Sequence, residues 1–201
     1  MNKEEFLSKI WSYYIMLEND FSKTFQYVEP VEGNKDCFSK EFNKELLSIG
    51  SEIDIVCREL CMVIEGKNFE QVKNYSIVNY REIIAQNENF MKESCIFISN
   101  EEILEPWNEW KKYDSPQWWR AYNDIKHNRL VNDNHKLGNF LNVKLSLAAL
   151  FIICRVLYSK QYEKEPFPSS SLFKMNNWKI YEDMGNGLTK ILEPNGSITI
   201  K

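Results

Sequence analysis

The sequence predicts a mainly α protein: an up-and-down helical bundle of about five helices with a small antiparallel β-meander at its C-terminus. Two observations support this fold class. Apolar residues recur at steps of three and four through most of residues 1–160, which is the spacing of one face of a helix. The last thirty or so residues change to short runs rich in β-forming residues, separated by turns that contain Asn-Gly.

The first half of the chain contains three helical patterns. The first covers residues 4–28. The second is the strongest, begins near Phe38 and ends at Gly66. Gly50 lies inside it and should weaken it by about 1 kcal/mol relative to alanine, a loss that a helix this long should survive. The third pattern, moderately amphipathic, covers residues 69–87.

The second half begins with residues 88–114, which contain a short strand pattern, SCIFIS, and an aromatic, acidic connector, EPWNEWKKYDSP. Ser115 followed by Pro116 is typical of an N-cap and a first-turn proline, so a fourth helix should begin there and extend to about Val131. A fifth helix is predicted over residues 136–161. Because it is apolar on most sides, we expect it to be the buried central helix.

The C-terminal region differs from the helices in amino-acid composition. The prolines and serines of EKEPFPSSS predict a linker. WKIYE, LTKIL and SITIK follow, separated by MGNG and EPNG, and predict a three-stranded antiparallel meander. We therefore assign residues 1–160 to the helical bundle, 161–171 to the linker and 172–201 to the β appendage.

Composition restricts the classes of function. The net charge of −4 and the pI near 5.4 argue against an extended nucleic-acid-binding surface, although a local basic site is compatible with them. The five cysteines are an odd number without a CxxC pair, which is typical of reduced core thiols in a cytosolic protein. Cys57 and Cys61 could share a helix face, but the chain has only two histidines to complete a tetrahedral set. We predict neither a metal site nor a cofactor.

The sequence also predicts a cytoplasmic protein without a membrane segment. The N-terminus, MNKEEFLSKIW, is acidic where a signal peptide would have a basic region followed by an apolar run. The longest uncharged apolar run, residues 145–154, is half as long as the roughly 20 residues that a membrane span needs.

Basic residues cluster in one stretch of this acidic chain, SPQWWRAYNDIKHNRL, which the fourth helix should contain. Arg120 and His127 are seven residues apart and differ by about 20° around a helix axis, with Asn123 between them on the same side. Such a face could hold a phosphate through the guanidinium and move a proton through the imidazole. The other candidate binding residues flank this face: Lys126, Asn128 and Arg129.

A second interpretation of the same stretch is structural. The arginine and histidine could cap the helix, form hydrogen bonds or face solvent, and Trp118, Trp119 and Tyr122 would then be core residues. The sequence contains no phosphate-binding P-loop, no dinucleotide-binding glycine motif and no nucleophile elbow. Any chemistry should therefore depend on the Arg120 to His127 face.

The segment WWRAYNDIKHNR, followed by a turn and the long apolar helix LGNFLNVKLSLAALFIICRVLY, resembles the HEPN superfamily. HEPN proteins are small all-helical domains of prokaryotic defence and toxin systems and of some eukaryotic ribonucleases. The second helix also resembles that family, because it carries acids at Glu45, Glu52 and Glu59 on an otherwise apolar frame. The resemblance covers residues 1 to about 160. The family motif is an arginine, four to six residues and a histidine; Arg120 and His127 match it with six intervening residues.

The resemblance implies a metal-independent endoribonuclease of a defence or toxin–antitoxin system, without a cofactor. A homodimer would place both copies of Arg120 and His127 in one cleft. Arg120 would stabilise charge on the phosphorus, His127 would transfer protons, and the product would be a 2′,3′-cyclic phosphate. The partners implied are RNA, a second copy of the chain and an antitoxin or other partner protein.

Two other functions remain open at this stage. In active HEPN members the residue after the arginine is usually polar, most often asparagine, whereas here it is Ala121; Asn123 or Asn128 could supply that group. Ala121 favours a non-catalytic HEPN-type module that binds RNA, a nucleotide or a partner protein through the same face. The third alternative is a structural or interaction protein whose contact surface is the aromatic segment Trp107 to Trp119.

Overall fold

The computed structural model describes residues 1–66, 75–87, 89–113, 115–162, 165–194 and 197–200. In this part of the chain, five helices are accompanied by two three-stranded antiparallel sheets. The predicted fold class, mainly α with a C-terminal β-meander, is confirmed.

The first helix consists of three consecutive segments: α1 (Lys3–Glu5), a π-helical segment (Phe6–Trp11) and α2 (Ser12–Lys23). The other helices are α3 (Lys40–Glu65), α4 (Ile77–Ile84), α5 (Gln117–Asn128) and α6 (Phe140–Ser159). The patterns predicted for the first, second, fourth and fifth helices therefore correspond to real helices. Of the pattern predicted over 69–87, the described part forms α4, which begins after a capping box between Ser76 and Asn79; residues 69–74 lie outside the described residues.

Strands β1 (Cys95–Phe97), β2 (Glu102–Leu104) and β3 (Phe173–Met175) form one sheet in the order β2-β1-β3. Strands β4 (Ile180–Gly185), β5 (Leu188–Leu192) and β6 (Ile198–Ile200) form the other, and they are the three predicted strands of the meander. The β4–β5 turn has positive φ angles at Asn186 (53°) and Gly187 (79°), as a two-residue hairpin turn of the Asn-Gly type requires.

Helix α6 is the centre of the core, as predicted. It packs mainly against α3, and seventeen of its twenty residues are buried. In the described part of the chain, α6 is the one helix long and apolar enough to cross a membrane, and 89% of its apolar window is buried inside the protein. Since the bundle covers this surface, the length and composition of α6 carry no inference about a membrane.

The aromatic connector before α5 belongs to the core. Trp107, Trp110 and Trp118 are at most 1% exposed, and the rings of Trp107 and Trp110 have centroids 4.4 Å apart. The Trp107 indole donates a hydrogen bond to the Ala149 carbonyl at 3.2 Å, which ties the connector to α6. The tryptophans of this segment are therefore core residues, and the interpretation of Trp107 to Trp119 as a contact surface is wrong for them.

The segment that precedes β3 lies on the first helix, in contrast to the linker expected at 161–171. Three side chains of that helix bind it: the Trp11 indole donates to the Pro168 carbonyl (2.7 Å), the Tyr14 hydroxyl pairs with Ser170 Oγ (2.9 Å), and Glu18 accepts from the backbone N–H groups of Ser171 and Leu172. Beyond it, β3 pairs with β1 rather than with the meander. Residues 168–175 are thus held on the bundle, and the meander begins at β4.

Four of the five cysteines are buried, as predicted: Cys57, Cys61, Cys95 and Cys154. Cys37 differs, because it is exposed in the segment before α3. Burial raises the pKa of the Cys61 thiol to about 12, so this thiol stays protonated at neutral pH.

We expect Gly50→Ala to lower the free energy of unfolding by about 1–3 kcal/mol, although alanine favours helix. Gly50 lies where α3 contacts α5, and an added Cβ would lie 2.6 Å from Cγ of the buried Tyr122 ring. The clash should outweigh the propensity gain. The matched control is Gly33→Ala, because a Cβ there meets no atom within 4 Å. Urea denaturation measures both; an unchanged or higher stability of Gly50→Ala would contradict this packing.

Candidate functional site

Helix α5 begins one residue later than its sequence suggests. Pro116 occupies the N-cap position predicted for Ser115, and its side chain can accept no hydrogen bond. Instead the carboxylate of Glu109, in the preceding connector, accepts the N–H of Gln117 at 3.1 Å. A negative group at a helix N-terminus is favourable because it satisfies a free backbone donor and opposes the helix dipole.

The faces of α5 separate core from candidate site. Its buried residues are Trp118, Trp119, Ala121, Tyr122 and Ile125. Burial of both tryptophans and Tyr122 confirms the expectation that they belong to the core. Arg120 and His127 lie on the opposite, exposed edge.

The guanidinium of Arg120 is directed towards the start of α5. Its Nη2 lies 3.2 Å from Glu109 Oε2, and Nη1 donates to the Ser115 carbonyl. The guanidinium carbon also lies 5.5 Å from the centroid of the Tyr113 ring. The Arg120 side chain remains 46% exposed.

His127 is exposed near the C-terminal end of α5. Within the ranges that the structure describes, no hydrogen bond, ion pair or ring contact involves its imidazole. The other histidine differs: His135 is half-buried and its ring packs edge-on against Phe38, with centroids 5.8 Å apart. Both imidazoles could therefore bind a ligand, but His127 lies on the exposed edge of α5 with Arg120, whereas His135 lines a different cleft.

One chain alone does not bring the Arg120 and His127 side chains together. Seven residues of helix correspond to a rise of about 10 Å between their Cα atoms. Side chains on a helix also lean towards its N-terminus, and Arg120 is held in that direction by Glu109 and Ser115. In this conformation of a single chain, the two side chains therefore do not reach one phosphate.

Asn123 and Lys126 lie beside this edge rather than on it. The Asn123 amide donates to the Trp119 carbonyl at 3.2 Å, and Lys126 Nζ donates to the Tyr122 hydroxyl at 3.1 Å. Both side chains line a polar cleft of about 370 Å³ between α5, α3 and the first turn of α4. Asn123 is half-buried and connects this cleft to the Arg120–His127 edge.

The last two predicted binding residues lie elsewhere. Arg129, the C-cap of α5, is about 200° around the axis from His127. It lines a different cleft of about 450 Å³, together with Phe38, Lys40 and His135. The structure therefore does not place Arg129 with the Arg120–His127 edge. The exposed Asn128 follows His127 directly, and its carbonyl accepts from the Asn134 amide at 3.1 Å.

The residue after the arginine, Ala121, is 3% exposed and faces the core. A polar side chain there would need a buried hydrogen-bond partner, which explains why a small apolar residue fits. The structure therefore has no polar side chain directly after Arg120. The nearest amide on the cleft side of the edge is Asn123.

Two acids of α3 have an environment that sequence analysis did not predict. Glu45 is 2% exposed, and neither of its carboxylate oxygens has a hydrogen-bond partner in the described structure. Burial raises its pKa to about 8, and the nearby carboxylates of Glu41 and Asp20 contribute. Burial also raises the pKa of Glu52, 7% exposed, to about 7. The sequence feature that could have indicated their burial is the position of both acids among the apolar residues of α3.

We expect the free energy of unfolding to decrease as pH rises from about 5 to about 8. The folded-state pKa values of Glu45 and Glu52 lie above the ordinary carboxyl value, so the folded state binds more protons in this range. The loss is at most about 1.4 kcal/mol per pH unit for each group. Glu45→Gln cannot ionise and should reduce the slope, whereas the exposed Glu4→Gln should not. Denaturation at several pH values tests this, and equal slopes for wild type and Glu45→Gln would contradict it.

Comparisons of the chain with models of protein families, with curated proteins and with solved structures found no match. Among the residues described, no three or more His, Cys, Asp or Glu side chains are grouped so that they could hold a metal ion. The argument for a function therefore depends on the geometry of α5 and its surroundings.

Proposed function

We propose that the protein is a HEPN-type, metal-independent endoribonuclease that acts as a homodimer. The observation that carries this proposal is the exposed edge of α5, where Arg120 lies two turns from His127, whose imidazole has no partner among the described residues, while the opposite face of the helix is buried. The resemblance of the sequence around α5 and α6 to HEPN proteins supports it. A cytoplasmic defence or toxin–antitoxin role, with an antitoxin or other partner protein, belongs to the same proposal.

A second copy of α5 can bring an arginine and a histidine together although Arg120 and His127 of one chain are apart. In a two-fold symmetric pair, residue i of one copy contacts residue j of the other, and the reverse contact also forms. Two antiparallel α5 edges would place Arg120 of each protomer beside His127 of its partner. Both copies of Arg120 and both copies of His127 would then line one cleft, with a phosphate bound between the two imidazoles.

The reaction needs only the groups on this edge. One His127 takes the proton from a ribose 2′-hydroxyl, whose oxygen attacks the adjacent phosphorus. The bond from phosphorus to the 5′-oxygen breaks, and the other, protonated His127 gives its proton to that leaving oxygen. Arg120 stabilises the negative charge that develops on the phosphoryl oxygens. The products are a 2′,3′-cyclic phosphate and a 5′-hydroxyl end.

Glu109 would have to release Arg120 when a phosphate binds. Their ion pair is exposed, with side chains 46% and 36% accessible, and exposed pairs contribute about 0–1 kcal/mol. A bidentate phosphate contact is stronger and can replace it. Glu109 keeps its second contact, the Gln117 N–H, when this exchange occurs.

A second candidate function is RNA binding without cleavage. One observation favours it: Ala121 is buried in the core, so the polar side chain that follows the arginine in active HEPN members is missing. The same edge would then bind the RNA backbone through positive charge alone.

The test is incubation of the purified protein with a mixed RNA pool in EDTA, with analysis of the product ends. Cleavage that yields 2′,3′-cyclic phosphate and 5′-hydroxyl ends would support the ribonuclease. A folded, dimeric protein that leaves the RNA intact would overturn the ribonuclease. Binding of intact RNA by that protein would support the second candidate.

A further inference from the structure

The polar cleft beside the Arg120–His127 edge lies between three helices. Helix α3 contributes Ser51 and Asp54, the N-cap of α4 contributes Ser76, and α5 contributes Trp119, Asn123 and Lys126. Its volume, about 370 Å³, is within the usual range of small-molecule sites. Arg120 and His127 do not line it, so the cleft is separate from the proposed catalytic groups.

The cleft contains one basic and one acidic side chain, Lys126 and Asp54, that do not form an ion pair with each other. Lys126 Nζ donates to the Tyr122 hydroxyl at 3.1 Å, and Asp54 accepts from the Tyr80 hydroxyl at 3.1 Å. Neither Lys126 nor Asp54 makes an ion pair with any residue for which the structure gives a position. An ammonium has three donors and a carboxylate can accept several hydrogen bonds, so both groups keep capacity for a ligand.

One wall of the cleft is aromatic. Trp119 and Tyr122 are 6% and 4% exposed, and their ring centroids are 4.9 Å apart. Because both rings are packed in the core, they give the cleft a fixed apolar wall of small area, and Lys126 Nζ lies 5.2 Å from the centroid of the Tyr122 ring. Such a wall can contact the edge of a base, but it has no open ring face on which a base could stack.

We infer that this cleft binds a nucleoside phosphate, and specifically one nucleotide of the RNA substrate. Lys126 would contact the phosphate, Asp54 would accept from a ribose hydroxyl or a base amino group, and the aromatic wall would contact the base. Asn123 lies between this cleft and the Arg120–His127 edge, so the bound nucleotide would be adjacent to the scissile phosphate. The inference rests on the proposed function because it identifies the substrate class of the same helix face.

The test uses the His127→Ala protein, which should not cleave RNA, so that binding is measured independently of catalysis. Calorimetric titrations with 5′-AMP, 5′-GMP, 5′-CMP and 5′-UMP, and with a short single-stranded RNA, give the dissociation constants. Ser51→Trp should fill the cleft from an exposed position on α3 and raise the dissociation constant at least about tenfold. Ser12→Trp, an exposed helix serine outside the cleft, is the matched control and should change little.

Asp54→Asn provides a second variant, since it removes the charge but keeps an acceptor for Tyr80. It should also weaken binding of the nucleotides. Tighter binding of the RNA than of the monophosphates supports an RNA nucleotide as occupant, and the opposite order overturns that identification in favour of a free nucleotide. Absence of nucleotide binding, or binding that both variants leave unchanged, overturns the cleft as a nucleotide site.

These measurements distinguish a failure of the cleft proposal from a failure of the proposed ribonuclease. Nucleotide binding that Ser51→Trp abolishes, in a protein whose wild type does not cut RNA, would retain the cleft and reject the nuclease. RNA cleavage by the wild type together with unaltered nucleotide binding by Ser51→Trp would retain the nuclease and reject the cleft.

Discussion

Replacing His127 with alanine should reduce RNA cleavage in EDTA by about 10²–10⁴-fold, the usual contribution of a general acid–base group. In the proposed dimer the change removes the base from one side of the phosphate and the acid from the other. The exposed position of His127 predicts that the free energy of unfolding stays within about 0.5 kcal/mol of the wild type. Single-turnover cleavage rates and urea denaturation measure the two quantities.

His135→Ala is the matched control, because the chain has only two histidines and His135 lines a different cleft. It should retain cleavage. An RNA-cleaving protein in which His127→Ala is as active as the wild type would show that the catalytic group lies elsewhere. Loss of activity in His135→Ala with full activity in His127→Ala would transfer the site to the cleft that contains Arg129.

Replacing Glu18 with alanine should lower the free energy of unfolding by about 3–5 kcal/mol, the largest stability effect that we expect from one polar side chain. Glu18 is 1% exposed, and its Oε1 accepts from the Ser171 hydroxyl and the Leu172 N–H, both at 2.6 Å, and from the Ser171 N–H. Alanine leaves these donors without an acceptor, and it also leaves a cavity where the carboxylate was. The chain between Pro168 and β3 should then detach from the first helix.

Glu18→Gln separates hydrogen bonding from charge, since an amide oxygen still accepts the backbone N–H groups. It should therefore lose less stability than Glu18→Ala in urea denaturation. Amide hydrogen exchange at Leu172 and Phe173 reports the local effect and should accelerate in Glu18→Ala. Unchanged exchange there, or equal stability of all three proteins, would contradict the role given to Glu18.

The elements that the sequence predicted correctly are those whose signal is local. Helix α3 has apolar residues at helical spacing and ends where Gly66 adopts a positive φ of 62°. The β4–β5 hairpin has its Asn-Gly turn, and α6 has an apolar surface on most sides. Each of these patterns depends on residues close together in the chain, which is why a single sequence contains it.

The elements that were missed depend on contacts distant in sequence. Strand β3 pairs with β1, almost eighty residues earlier, and the segment before β3 binds side chains more than 150 residues away. A stretch rich in prolines and serines predicts a linker because nothing local reveals those partners. Likewise, the group that satisfies the start of α5 is Glu109 from the connector, while sequence rules indicate Ser115.

The candidate site was predicted in part. Helical periodicity correctly placed Arg120 and His127 on one exposed edge, because that needs only the angle per residue. Periodicity could not predict that Glu109 binds Arg120, that Asn123 and Lys126 line a cleft with α3, or that Arg129 lines another cleft. Each of these facts is set by tertiary packing around α5.

The most direct test of the α5 edge as an RNA site is a spectrum of the histidine side chains during titration with RNA. With two histidines in the chain, the imidazole signals of His127 and His135 can be assigned by recording His135→Ala. RNA with 2′-O-methyl groups keeps the complex intact, because its 2′-oxygen cannot attack the phosphorus. We predict that the His127 signals shift in a saturable manner while those of His135 stay in place. Saturable RNA binding that leaves the His127 signals unchanged would contradict the account.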